Sequence, residues 1–319
     1  MNVPEAQALG GALSDLEQMR RARLMQMAIC LSVVVVLVVV AAVYFSESGG
    51  SVAVIASLVV GSIVGFGILS GFIGSIRREF KRKIVPILLW EIDPSLSYAV
   101  SEYVPEADFN ACHLYMAPDR YSGKDLVEGY IGETAVRFSL VHAEEEYQDT
   151  DTDSEGHTTT RTHYRTIFKG LLFIADFNKE FSGRTLVKPR GVSLLSKLFG
   201  THVDLEDPEF NGLFSVSATD QVEARYILTP SMMERLKSVH VRMGSFRAAF
   251  SGGCLYMTIE VPWDTFEPTV TRSLMDSDQI EKIRANISAV TRIVEDIGLN
   301  VRIWTKTGGK AGTDSLREA

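Results

Sequence analysis

His142, Asp176 and Glu180 are the residues whose types suit proton-transfer chemistry. His142 ends one alternating apolar stretch, and the two carboxylates end the next, so pairing of the stretches could bring an imidazole near an acid. Such a pair moves protons near neutral pH when the carboxylate orients the ring. Most histidines of this kind satisfy strand edges or face solvent, and only geometry separates the two cases. A second group is acidic. Asp149, Asp151 and Asp153 occupy the first three ligand positions of a calcium loop, with His157 and His163 nearby as transition-metal donors. Ser154 stands where that loop needs glycine and Thr160 where it needs a bidentate glutamate, so a solvated loop is the better reading. Gly191-Val-Ser193-Leu-Leu lacks the closing glycine of a nucleophile elbow. No phosphate-loop signature occurs, and Gly65-Phe-Gly67 lies within an apolar run. Cys30, Cys112 and Cys254 have neither disulfide nor zinc spacing. The sequence therefore assigns no catalytic, cofactor-binding or metal residue.

The elements that would carry these residues begin after Leu96. Phe109–Pro118 could form a strand, and Tyr121–Val127 is turn-rich with room for a short helix. Tyr130–Tyr147 places Val136, Phe138, Leu140 and His142 on one parity, as a half-buried strand does. Gln148–His163 is polar and patternless, a mobile loop before a second strand at Tyr164–Phe177. A short strand follows at Thr185–Lys188 and another near Leu213–Val216. Helices are expected at about Asp220–Leu228 and after Thr229-Pro230, proline suiting a first helical turn. Ser251-Gly-Gly253 marks a hairpin between Arg247–Phe250 and Cys254–Val261. Ile280, Ile283, Ile287, Val290, Val294 and Ile297 step by 3 or 4 along an amphipathic helix that Gly298 stops, before a last strand at Val301–Thr305. Phe168, Phe173, Phe177, Phe181, Phe210 and Phe214 read as core. The fold class is α+β, a two-helix transmembrane hairpin followed by a mixed cytoplasmic domain.

The hairpin is the plainest feature of the chain. Leu24–Phe45 and Ser51–Ile76 contain no charged residue. Roughly 20 apolar residues in a helix span a bilayer core, and hydrocarbon demands that every backbone polar group be satisfied within the segment. Arg20, Arg21 and Arg23 precede the first run; Arg77, Arg78, Lys81, Arg82 and Lys83 follow the second; the turn holds only Glu47. Basic flanks stay inside, which puts both termini in the cytoplasm. Ser14-Asp-Leu-Glu17 has capping-box form, and Arg77–Asp93 reads as a juxtamembrane helix bent at Pro86. Residues 1–83 hold eight basic and five acidic residues, residues 84–319 hold 24 and 35, and the whole chain is at −8. An acidic body argues against nucleic acid as partner, while the basic collar suits anionic lipid headgroups. Ser57, Gly61 and Gly65 form one small-residue stripe and Gly67, Gly71 and Ser75 another. One could take the first helix and the other a second protomer. The resulting division is a cytoplasmic tail and helix start at 1–23, the hairpin at 24–76, the juxtamembrane helix at 77–95, the α+β domain at 96–307 and a disordered tail at 308–319.

Three ordered strings carry a resemblance. They are Gly123–Gly129 before a strand ending at His142-Ala-Glu144, FKGLLFIADFNKEFSGRTLV at Phe168–Val187, and LEDPEFNGLFSVSATDQVEARYILTPSMMERL at Leu205–Leu236. With Gly253–Tyr256 and Phe266-Glu-Pro268, the chain resembles an uncharacterised bacterial membrane-protein family known only as a domain of unknown function, over roughly Tyr98–Pro268. The resemblance implies a bacterial inner-membrane protein with a paired-helix anchor and a cytoplasmic domain, and it brings no activity. The function expected is a membrane-anchored binding or scaffold module, with a protein partner and a homodimer through the second helix. The alternative is a membrane-tethered hydrolase.

Overall fold

The computed structural model describes residues 3–47, 50–152, 158–177, 179, 181–191 and 200–299. It is an α+β structure in two compact units, Met1–Leu88 with Phe266–Ala285, and Leu89–Thr265 with Asn286–Ala319. The last strand expected at Val301–Thr305, and the tail beyond it, lie outside the described residues.

The first unit is built on α1 (Val3–Glu47) and α2 (Ser51–Trp90). Both are long and apolar enough to cross a membrane, and their most apolar windows have no residue buried within the chain. Val36, Leu37 and Phe66 are more than half exposed, a surface that water would penalise and lipid would not. Two sequence expectations are corrected here. Residues 3–13, read as a tail, are helical, and Ser14 is no cap: its hydroxyl bonds back to the Gly11 carbonyl inside α1. Pro86 lies inside α2 without ending it. Gly61 explains the close approach of the helices. A Cβ there would lie 2.2 Å from Val38 Cγ2, and one at Gly65 would lie 3.7 Å from Leu31 Cδ2. This stripe is therefore occupied by the chain's own first helix, whereas a Cβ at Gly67 or Gly71 meets nothing within 4 Å.

Below the apolar runs, Phe266–Ala285 is clasped to both helices. The buried Glu17 carboxylate takes Arg20 at 2.7 and 2.8 Å, Arg21 at 2.9 Å and the Leu274 amide at 2.9 Å. Arg20 also donates to the Val270 carbonyl at 3.1 Å. On α2, Arg77 and the buried Lys81 pair with Glu267 at 2.9 and 3.1 Å. Much of what reads in sequence as a lipid-facing collar thus holds the protein's own chain.

The second unit is a nine-stranded sheet of order β1-β2-β3-β4-β9-β8-β5-β7-β6, with every neighbouring pair antiparallel. Its strands are β1 (Ser97–Ala99), β2 (Arg120–Ile131), β3 (Thr134–Thr152), β4 (Thr158–Asp176), β5 (Thr185–Pro189), β6 (Thr201–Val203), β7 (Phe214–Ala218), β8 (Phe246–Ser251) and β9 (Cys254–Ile259). Helices α3 (Glu106–Ala111), α4 (Pro208–Leu213), α5 (Gln221–Ile227), α6 (Pro230–Met243) and α8 (Ile293–Ile297) complete it, and α7 (Ser277–Thr291) runs from the first unit into the second. One sheet face holds Val141, Ala143, Leu172 and Ile174 in a core with Val104 and Phe109 from the β1–β2 connection. On the other, His240 of α6 stacks edge-on against Phe214 and Phe246.

The structure departs from the sequence reading in four places. Phe109–Ala111 is helix, because Pro105 opens α3 and Glu106 and Asp108 face the positive end of its first turn. Arg120–Ile131 is one strand whose turn-like residues form a bulge between Lys124 and Val127, with Asp125 at φ 65°. The buried Asp125 carboxylate accepts from the Tyr98 hydroxyl at 2.5 Å. The stretch read as a loop at Gln148–His163 is strand as far as Thr152 and again from Thr158, paired residue for residue. The expected single helix at 280–297 is α7 and α8, divided at Arg292, and Gly298 stops it at φ 70°.

Candidate functional site

Antiparallel register decides which chemistry-bearing residues meet. Strands β3 and β4 do pair, but His142 falls opposite Lys169, while Asp176 falls opposite Cys254 on β9. Seven residues of strand, about 23 Å at 3.3 Å each, separate Lys169 from Asp176. The acid–base pairing of His142 with Asp176 is therefore not formed. Glu180 lies outside the described residues. Asp149 and Asp151 sit two apart in an extended strand, opposite Arg161 and Thr159. That geometry cannot wrap a calcium ion as a looped chain does. Asp153, Ser154, His157 and Ser193 lie outside the described residues, and among the described residues no group of three or more His, Cys, Asp or Glu could hold a metal. His163 stacks on Tyr147 at 5.4 Å.

What His142 does meet is an aromatic and basic cluster that the sequence reading missed. Ser122 on β2 and Lys169 on β4 flank it across the sheet. Trp263, four residues past the end of β9 at Ile259, sets its ring 6.1 Å from the imidazole, edge-on. The Lys124 and Lys169 ammoniums lie 5.0 and 5.2 Å from the same indole centroid, on the two strands that border β3. His142 Nε2 is 2.9 Å from Thr166 Oγ1 and 3.7 Å from Glu144 Oε1. Trp263, His142 and Lys124 are half-buried; Lys169, Thr166 and Ser122 are exposed. Burial, opposed by Glu144 and assisted by Lys169, pulls the His142 pKa below its ordinary value, so the ring is mostly neutral at pH 7.

Two backbone features position this cluster. The β2 bulge follows Lys124 directly, and past it the pairing resumes one residue out of step at Val127. Gly170, beside Lys169, lets β4 pass close to β9: a Cβ there would lie 2.3 Å from the Ile259 carbonyl oxygen. No short motif joins residues 124, 142, 169 and 263, so only the lone tryptophan after β9 could have drawn attention.

Chemically, the Thr166 hydroxyl and His142 are at the distance of a nucleophile and its base. Glu144, however, approaches the same Nε2 rather than the opposite ring nitrogen, so it does not orient the ring as a triad acid does. Two ammoniums, an indole and surface hydroxyls are groups that bind anions.

A second feature is the outer half of the β3–β4 hairpin. β2 accompanies β3 only to Glu144, and β9 accompanies β4 only from Leu171. Beyond those points, among the described residues, Glu145–Thr152 and Thr158–Arg165 have only each other as strand partners, and the Glu146 amide donates to the Asp119 carboxylate at 2.6 Å. Arg165 grips Glu145, and Arg120 covers the Tyr164 ring at 3.3 Å. The result is a charged two-stranded ribbon.

Residues 166–299 match the family model described as Protein of unknown function (DUF3137). The resemblance read from the sequence strings to a family of unknown function is thereby borne out. The match begins after the first of those strings and runs beyond the last, to Leu299. No curated protein matches the chain. The crystal structure of the mycobacterial trehalose monomycolate transport factor A, TtfA, is similar over 62% of this chain and 88% of that one. At 9% identity and a TM-score of 0.33, that likeness carries no argument.

Proposed function

We propose that this protein is a binding module anchored in the bacterial inner membrane by two spans, with both termini and the sheet unit in the cytoplasm. The observation that carries the reading is the helical hairpin, whose exposed apolar surface ends at a polar clasp on the same side for both helices. Uncharged runs flanked by basic residues on that side favour the orientation. The exposed members of the collar, Arg21, Arg78, Arg82 and Lys83, suit anionic headgroups. The β3–β4 ribbon offers a protein partner unpaired strand edges to extend. A homodimer would use the open Gly67/Gly71 stripe, since the Gly61 stripe is filled by Val38. The acidic body disfavours nucleic acid.

A reporter active only outside the membrane, inserted at Gly49, should work, and the same reporter after Ala319 should be silent. The opposite pattern refutes the orientation. A second reading, a membrane-tethered hydrolase, is favoured by the 2.9 Å His142–Thr166 contact. It requires a nucleophile-directed probe to label the wild type and spare both Thr166→Val and His142→Asn.

A further inference from the structure

We infer that the outer half of the β3–β4 hairpin joins copies of this chain edge to edge, the β3 edge of one copy receiving the β4 edge of another. The assignment rests on the binding-module reading and names the partner of the ribbon. The backbone supplies the first argument. The Asp119 amide donates to the Glu144 carbonyl at 2.9 Å, and the Glu146 amide donates to the Asp119 carboxylate at 2.6 Å. Glu144 and Glu146 therefore turn these groups away from β4, and the alternation of an antiparallel ladder carries the same direction on to Gln148 and Thr150. Their partners across the ribbon, Thr162 and Thr160, turn their amides and carbonyls toward the opposite edge. Among the described residues no strand lies beside either edge there. A strand edge of this kind is a template for another chain.

Charge decides which chain that is. The outer part of β3 carries Glu145, Glu146 and Asp149 and no base, whereas the outer part of β4 carries Arg161, His163 and Arg165 and no acid. Register puts Glu145, Tyr147 and Asp149 on one face, opposite Arg165, His163 and Arg161. Charged side chains commonly guard an exposed edge against pairing, but signs segregated by strand guard it only against its like. Two β3 edges would set acid against acid and two β4 edges base against base, each unfavourable across a strand pair. A β4 edge against a β3 edge sets Arg161 of one copy opposite Asp149 of the next. Backbone parity agrees with charge. Pairing Thr160 and Thr162 of one copy with Thr150 and Gln148 of the next serves the outward amides and carbonyls in that same register. The contact ends at Gln148, since Asp119 already holds the Glu146 amide. Such a head-to-tail contact closes into a ring or continues as an open chain, and confinement to one membrane raises the effective concentration enough for a short contact to hold.

The test places Thr150→Cys and Thr160→Cys, both at exposed positions, on two separately tagged full-length chains. Both chains also carry Cys30→Ala and Cys254→Ser, and Cys112 stays buried in the core. The two are coexpressed, and isolated membranes are oxidised. A disulfide-linked mixed dimer is expected, well above the product of either chain alone or of Thr150→Cys with Val222→Cys, an exposed position on α5 that controls for collision. Asp149→Arg on the first chain should cut the mixed product about fivefold. Adding Arg161→Asp to the second chain should restore it, a rescue that repair within either chain cannot produce. Raised salt should lower the yield. Equal melting temperatures of the variants and the parent separate a lost contact from lost folding. Mixed product no greater than the Val222 control overturns the inference, as does a dimer formed by either variant alone in equal yield, or a mixed product that charge reversal leaves unmoved. Crosslinking of the Thr150→Cys chain to a different protein in place of the second copy also overturns it, while leaving the binding-module reading in place. The membrane reading stands or falls on the Gly49 and Ala319 reporters, which do not depend on the ribbon.

Discussion

Glu17→Gln is expected to release Phe266–Ala285 from the helical base. The wild-type carboxylate is buried and holds Arg20, Arg21 and the Leu274 amide within 2.9 Å. The Arg20 guanidinium, above all, draws the Glu17 pKa from 4.5 down to about 2, against the opposing effect of burial and with help from the Leu274 amide and Arg21. A folded-state value below the unfolded one stabilises the protein fully above pH 4.5, and that stabilisation is lost as pH falls toward 2. At 1.36 kcal/mol per pH unit the shift is worth about 3 kcal/mol. The glutamine amide can still accept from Leu274, but it leaves Arg20, only 11% exposed, facing a neutral group, and a broken buried pair costs about 3–5 kcal/mol. Thermal unfolding of both proteins in detergent at pH 7 should show the variant less stable by about 3 kcal/mol, and hydrogen exchange should place the loosening in Phe266–Ala285. At pH 3 the difference should have shrunk by more than half, because the unfolded chain, whose carboxyl titrates near 4.5, then binds a proton that the folded carboxylate still excludes. Equal stability at pH 7, or a difference unchanged at pH 3, refutes the clasp.

Gly61→Leu/Gly65→Leu should destabilise the hairpin by about 1–3 kcal/mol through overpacking against Val38, read by detergent titration, while crosslinking shows the dimer fraction unchanged. Loss of dimer with the hairpin intact would show that the stripe faces another protomer. Gly170→Ala should cost about 1–3 kcal/mol, because a methyl group 2.3 Å from a backbone carbonyl must push β4 from β9; an unaltered melting temperature refutes that close approach. Deleting Thr150–Thr160 should change stability by under about 1 kcal/mol, since loop closure depends weakly on length and the described residues of this stretch have only each other as strand partners; a large drop in melting temperature shows it packed elsewhere.

The sequence by itself determined the features that depend on runs and periods. Two uncharged segments of membrane length could only be helices, and the alternation through Val136, Phe138, Leu140 and His142 marks a strand, although packing buries both faces of β3 from Thr134 to Val141 where a half-buried strand was expected. Caps were equally local: Asp220 accepts two amides and Thr229 accepts one at the helix starts they mark. The ribbon at Gln148–His163 was not legible, because its strands have no buried face and so no hydrophobic alternation. Their pairing follows from the continuation of the inner hairpin and from cross-strand partners such as Glu145 and Arg165. Residues 120–131 misled for a related reason, turn-forming types being used for a bulge within a strand. The acid–base candidates failed on register, since a period of two says which face His142 takes and nothing about which residue stands opposite. Tertiary structure alone brought Trp263 onto Lys124, His142 and Lys169, and Glu267 and Leu274 onto the base of the hairpin. Those contacts join residues more than 90 positions apart, and the physical constraint that selects them is the packing of the whole chain rather than any local preference.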